Sequence, residues 1–124
     1  MGIGGSIFSA DSTRRKGHVM AIKVLIARSF RPDNLKQASR LLMELRSLAT
    51  LQKGYMSGET LVSANNPNKL TVLSTWISQK RWKEWQQSSQ RKEFSKKIEP
   101  LLETPEQTEV FLVGEKSPEW VDMA

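Results

Sequence analysis

The stretch AIKVLIARSF, residues 21–30, leaves almost no polar side when drawn as an extended strand. Ile22, Val24, Ile26 and Phe30 fall on one face, and Leu25 and Ala27 on the other. A strand apolar on both faces needs cover on both. QTEVFLVG at 107–114 repeats the pattern, with Val110 and Leu112 against Phe111 and Val113. Whatever this chain folds into must place these two segments between two layers. Arg28 interrupts the first face and is the oddest residue of the strand.

The segments between them supply one of those layers. Arg31-Pro32-Asp33 ends the first strand, and Asp33 is the expected N-cap of a helix. Leu35, Ala38, Leu41, Leu42, Leu45, Leu48 and Ala49 then recur at helical spacing to about Gln52, and Gly54 is a natural left-handed stop. YMSGETLVS (55–63) and KLTVLSTWI (69–77) read as strands joined by the turn residues Asn65-Asn66-Pro67-Asn68, an antiparallel hairpin. Gly58 marks a bulge or a close approach. Ser78 caps a helix running to about Gln87. A further helical stretch over about 89–102 presents Phe94, Ile98, Leu101 and Leu102, with Pro100 breaking it at Glu99. No internal repeat is present.

The order βαββαβ predicts an α+β, ferredoxin-like fold with a four-stranded antiparallel sheet and both helical stretches on one face. The other face, still apolar, then needs a second copy. A homodimer closing two sheets back to back, a dimeric α/β barrel, is the expected solution.

At 124 residues the chain is one domain. Residues 1–19 are Gly/Ser-rich and then basic, and read as a flexible leader, an expression remnant or an upstream start. Residues 20–116 form the domain, and 117–124 a tail that Trp120 ties down. No apolar run approaches the roughly 18 residues of a membrane span, and the N-terminus makes a poor signal peptide because its charges follow its apolar patch. With no cysteine, a cytoplasmic protein is expected. The net charge of +6 is uneven: residues 1–98 carry 18 Lys/Arg against 6 Asp/Glu, or +12, and the remainder carries −6. Either an anionic partner meets the first part, or the acidic end packs near the basic helices.

Lys53-Gly54-Tyr55, the strand end Ser74-Thr75-Trp76-Ile77-Ser78, and Lys83-Glu84-Trp85-Gln86-Gln87-Ser88 occur in that order. They follow an opening strand with Arg28 and a leucine-striped helix. Together, over about 21–114, they resemble the antibiotic biosynthesis monooxygenase superfamily of small dimeric α/β-barrel proteins. The resemblance implies this fold, dimers, and for many members oxygenation of aromatic polyketides or quinols without metal or flavin. It implies haem degradation for others. Members of that branch carry Asn before the strand-one Arg, Trp late in the helix after strand three, and His ten residues beyond. Here those places hold Ala27, Trp85 and Ser95, so haem degradation is not expected.

The missing residue types narrow the chemistry further. The single histidine, His18, lies in the leader and cysteine is absent. Ser-His-Asp and Cys-His nucleophile systems therefore have no base. Imidazole or thiolate metal sites have no ligands, and no glycine-rich nucleotide loop is present. No cofactor is expected. The basic run Lys80–Lys97 raises nucleic acid as a partner. However, IKVLIA and KLTVLS lack the stacking aromatics of RNA-recognition strands, and charges on helices are ordinarily solvated faces. Neither nucleic acid nor membrane is expected as a partner.

What the residues permit is a dry pocket between sheet and helices for a small aromatic molecule. Trp76, Trp85, Phe94 and Met56 are its candidate walls, and Arg28 and Tyr55 the candidate groups for a phenolate or carbonyl. Each also has a structural reading. Trp76 is core filler, Trp82 serves helix packing or the dimer edge, and Arg28 pairs with Glu59 or Glu109. No general base is identifiable. Two functions stand: a cofactor-independent monooxygenase of an aromatic or quinol-type molecule, and a dimer of the same fold that binds a small molecule or partner without turnover.

Overall fold

A computed structural model describes residues 20–114; the expected leader, the tail with Trp120, and His18 lie outside the described residues. Eight consecutive residues, Ile22–Ser29, form strand β1, and their burial alternates as the sequence pattern requires. Ile22 and Val24 are fully buried, as is Phe30 just beyond the strand. Pro32–Asn34 makes a tight 3-10 turn. Helix α1 (Leu35–Ala49) follows, with Ala38 and Leu45 buried on the stripe that faces the sheet.

Asp33 is not the cap. It sits inside the 3-10 turn, and α1 starts one residue after Asn34 without a side-chain cap. Pro32 presets the backbone of that turn, so the chain enters the helix through it rather than through an Asx cap. Gly54 ends the connection at φ +88°, a conformation only glycine adopts freely.

Strands β2 (Tyr55–Val62) and β3 (Lys69–Trp76) form the expected hairpin. Its turn is held by the Asn66 side chain, which accepts from the Asn68 N–H at 3.0 Å. Helix α2 (Gln79–Gln86) is capped by Ser78, and α3 (Ser89–Ile98) by Ser88. A second 3-10 turn, Glu99–Leu101, absorbs Pro100 and leads to strand β4 (Gln107–Leu112).

The sheet order is β2-β3-β1-β4, antiparallel throughout. This is the ferredoxin-like α+β fold, with the helices packed on one face. The two central strands, β1 and β3, contribute Ile22, Val24, Ile26, Leu70 and Trp76 to the core, and the helical side contributes Ala38, Leu45, Trp82, Trp85, Ile98, Leu101 and Leu102. The edge strand β4 departs from expectation. It ends at Leu112, and Phe111 and Leu112 are 44% and 62% exposed. Val110 alone of β4 packs against the core, so the helical layer stops short of this edge.

The helix-free face is mixed rather than uniformly apolar. The register places Leu25, Ala27, Thr71, Leu73, Leu61 and Phe111 there, ringed by Lys23, Glu59, Gln107 and Glu109. Leu25 and Leu73, directly opposite each other at its centre, are only half-buried in the single chain.

Candidate functional site

The helices do not fill all of the space above the sheet. A hollow remains between α1, the α2–α3 corner and the centre of the sheet, with Ile26, Leu45 and Val72 among its apolar lining. It holds about 60 Å³ of free space, and the exposed members of its lining, Arg46 on α1 with Glu59 and Thr60 on β2, mark its mouth beside Tyr55. That is room for a handful of water molecules.

Its aromatic wall is a chain of edge contacts. Tyr55 meets Trp76 at 5.4 Å between ring centroids and 90° between planes, and Trp76 meets Trp82 at 5.7 Å and 62°. Trp85, also buried, completes the wall. Trp76 is 1% exposed and its indole N–H donates to the Ser74 hydroxyl at 3.1 Å. It is therefore core filler and cavity wall at once. Trp82 is no dimer-edge residue: it is 3% exposed and packed on Trp76.

The α2–α3 corner sets this wall locally. The Ser88 hydroxyl donates to the Trp85 carbonyl at 2.7 Å and accepts from the Arg91 N–H at 3.2 Å. One side chain thus ends the helix that carries two tryptophans and starts the helix that carries Arg91.

Arg28 and Arg91 form the charged side of the hollow. Arg28 Nε donates to Glu106 Oε1 at 2.8 Å, and an Arg91 terminal nitrogen lies 3.6 Å from Glu106 Oε2. One carboxylate, 26% exposed, is therefore shared by two guanidiniums that are 3% and 8% exposed at their side chains. Arg91 also lies over the Trp82 ring, 5.3 Å from its centroid. Burial pushes the Arg91 pKa below its ordinary value; the Glu106 charge opposes that shift and the neighbouring Arg28 adds to it.

The expected partners of Arg28, Glu59 and Glu109, are thus replaced by Glu106. The register supplies the reason. Arg28 faces the helices beside Leu70, whereas Glu59 pairs with Leu73 and Glu109 with Leu25, both on the opposite face. Ala27 pairs with Gln107, so the next step along the ladder brings Glu106 to Arg28.

Of the six residues singled out from sequence, Trp76, Trp85, Arg28 and Tyr55 meet at the hollow. Met56 and Phe94 do not line it. The ladder slips between Tyr55 and Ser57, and this bulge throws Met56 outward to 58% exposure. Phe94 packs half-buried on the outer side of the core, beneath Lys97 at 5.4 Å. Gly58 does mark a close approach: a Cβ there would collide with the Tyr55 hydroxyl. Sequence reasoning missed Trp82, Arg91 and Glu106. Arg91 could have been found, since it stands three and seven residues before Phe94 and Ile98, on their buried stripe.

Among the described residues, no three His, Cys, Asp or Glu side chains cluster as metal ligands, and no helix is long and apolar enough to cross a membrane.

Similar proteins bear on this geometry. No curated protein matches the chain. Solved structures match closely in shape but not in sequence. A conserved protein of Methanosarcina mazei superposes with a TM-score of 0.71 at 18% identity, over 75% of this chain and 92% of its own. Rv0793 of Mycobacterium tuberculosis gives 0.71 at 18%, over 78% and 98%. SnoaB, a cofactor-independent oxygenase of Streptomyces nogalater, gives 0.70 at 8%, over 80% and 98%. At such identities these likenesses show the fold alone. The family model for antibiotic biosynthesis monooxygenase matches residues 21–97, which span β1 through nearly all of α3 and so include every helix and tryptophan of the wall. The chain belongs to the antibiotic biosynthesis monooxygenase family.

Proposed function

We propose that this protein is a cofactor-independent monooxygenase of a small phenol or hydroquinone, which it binds in the hollow beneath the helices. The observation that carries the proposal is one enclosure combining a wall of four aromatic rings with two buried guanidiniums. An electron-rich phenol, once ionised, can pass an electron to O₂ without help from a metal or flavin. The protein's tasks are to exclude water, to orient the ring and to hold the oxyanion. Trp82 and Trp85 sandwich or edge the ring, and Arg28 meets the phenolate oxygen.

The balance is simple. The phenolate carbanion and O₂ give a carbon-bound peroxide. Its O–O bond then breaks, one oxygen staying on the ring as a quinone carbonyl and the other leaving as water with the two hydrogens the substrate has lost. Size restricts the choice of substrate. The free space is smaller than the roughly 150 Å³ cavity that takes benzene in an engineered core. Even one ring exceeds that space, so a single ring is the upper limit, and it enters only as the exposed Arg46 and half-buried Tyr55 at the mouth give way.

Two copies pair through the helix-free face, centred on Leu25 and Leu73, in a cysteine-free protein suited to the cytoplasm. Binding without turnover is the second reading. It is favoured by the direction of Glu59, the carboxylate nearest the mouth, which the register turns to the opposite face and so away from any role as base.

Oxygen uptake by the purified protein in the presence of a chelator, against a panel of hydroquinones and phenols, tests the proposal. Uptake that Arg28→Met abolishes supports it. Tight binding of several of these compounds with no uptake from any supports the non-catalytic reading instead.

A further inference from the structure

The hollow has a charge requirement that its aromatic wall does not explain. Arg28 and Arg91 are 3% and 7% exposed, yet their polar atoms are poorly matched. Among the described residues, Arg28 makes one hydrogen bond, from Nε to Glu106, and its terminal nitrogens meet no acceptor from those residues. Arg91 reaches the same carboxylate only at 3.6 Å, a longer and weaker contact than that of Arg28. Buried guanidinium nitrogens are ordinarily matched by an acceptor, and where the protein supplies none a ligand or water in the hollow must.

Glu106 itself does not line the hollow. It belongs to a separate groove formed with Ser95, Ile98, Leu102 and Pro105. Arg28 and Arg91 line the hollow and Glu106 does not, so the carboxylate bridges the two guanidiniums from outside that lining. Two cations and one anion leave a single positive charge. Arg46, the other cation of the lining, is exposed and screened by water, and Glu59 is exposed and turned by the register to the opposite face.

We infer that the hollow selects a singly charged aromatic anion, a phenolate or carboxylate, with Arg28 and Arg91 as its joint receptor and Glu106 as the fixed counter-ion that positions them. This rests on the hollow being the substrate site. It adds Arg91 and Glu106 to the residues that decide specificity. A neutral ring would leave the positive charge unbalanced even where it accepts a hydrogen bond, and a dianion would exceed the charge available.

Benzoate and benzamide, equal in shape and different in charge, separate the idea from simple apolar binding. Their affinities are read from quenching of tryptophan fluorescence, Trp82 and Trp85 being part of the wall. In the wild-type protein benzoate should bind about tenfold tighter than benzamide. Arg28→Met, which brings the local charge to zero, should reduce the ratio to about one. Glu106→Gln keeps an acceptor for Arg28 Nε while raising the charge to two, and should increase the ratio at least about threefold.

The double variant Arg28→Met/Glu106→Gln returns the charge to one and should restore a preference for benzoate. A residue that merely supports the fold would shift both ligands together and leave the ratio unmoved. Equal affinities in the wild type, binding of neither compound, or a ratio that ignores the charge count would overturn the inference. Oxygen uptake is read separately. Charge selection without turnover keeps the inference and removes the oxygenase. Turnover of phenols without charge selection does the reverse.

Discussion

Replacing Glu106 by alanine removes the carboxylate shared by two buried guanidiniums, and the structure sets the scale of the loss. The Arg28 contact is 2.8 Å at a side chain 3% exposed, and the Arg91 contact is 3.6 Å. Unit charges about 4 Å apart interact by about 4 kcal/mol at an effective dielectric of 20. Stranding one partner of a buried pair costs about 3–5 kcal/mol in practice. Glu106 is 26% exposed, so water reaches part of the gap and the lower end, about 3 kcal/mol, is expected.

At about 4–8 °C per kcal/mol for a domain of roughly 100 residues, the midpoint of thermal unfolding should fall by about 12–24 °C. Urea unfolding followed by circular dichroism, at fixed protein concentration, should show a lower midpoint with an unchanged slope. Glu84→Ala is the internal reference. Its partner Arg81 sits at a similar distance, 2.9 Å, but the two side chains are 39% and 49% exposed. That loss should stay within about 0.5 kcal/mol. Adding Arg28→Met to Glu106→Ala should cost about 1.5 kcal/mol less than the sum of the two single changes, because the second guanidinium no longer faces the first. If Glu106→Ala costs no more than Glu84→Ala, or if the paired changes simply add, the shared-carboxylate account of the site is wrong.

Other parts of the fold make their own predictions. Gly54→Ala forces a side chain into a φ of +88° and brings its Cβ to 2.5 Å from Arg81 Cβ, so calorimetry should record a loss of about 2–4 kcal/mol. Trp82→Ala opens a void beside Trp76 and frees Arg91 from its ring. It should cost about 3–5 kcal/mol by denaturant titration, and a loss below 1 kcal/mol would show that the wall is not packed as described. Leu25→Glu places a carboxylate beside Glu109 and Leu73 at the centre of the helix-free face. Sedimentation should then show monomers where the wild type gives dimers, and a monomeric wild type would refute the proposed interface.

The order of elements was legible because both periodicities are strong here. Period two runs cleanly through β1 and β3, and the leucines of α1 keep helical spacing for four turns. Gly54 and Ser78 announced their own positions through local chemistry that needs no tertiary context. What stayed hidden depends on register. Nothing near Arg28 in the sequence names Glu106, which lies 78 positions away and meets it only through the pairing of β1 with β4. Met56 was misplaced because a bulge shifts alternation by one, and no residue at Tyr55–Ser57 advertises a bulge. Trp82 was set apart from Trp85 although the two share a face, since α2, at eight residues, is too short to show a stripe. The charge asymmetry along the sequence has found one structural outlet: Glu106 of the acidic end answers Arg28 and Arg91 of the basic part.

The most direct test of the substrate site is a crystal structure of the protein grown anaerobically with a single-ring hydroquinone. The account predicts ring density against Trp82 and Trp85, with one substrate oxygen within hydrogen-bond distance of a terminal nitrogen of Arg28 or Arg91. Density confined to the outer groove beside Ser95 and Pro105, or a hollow still filled by water at saturating ligand, would contradict it.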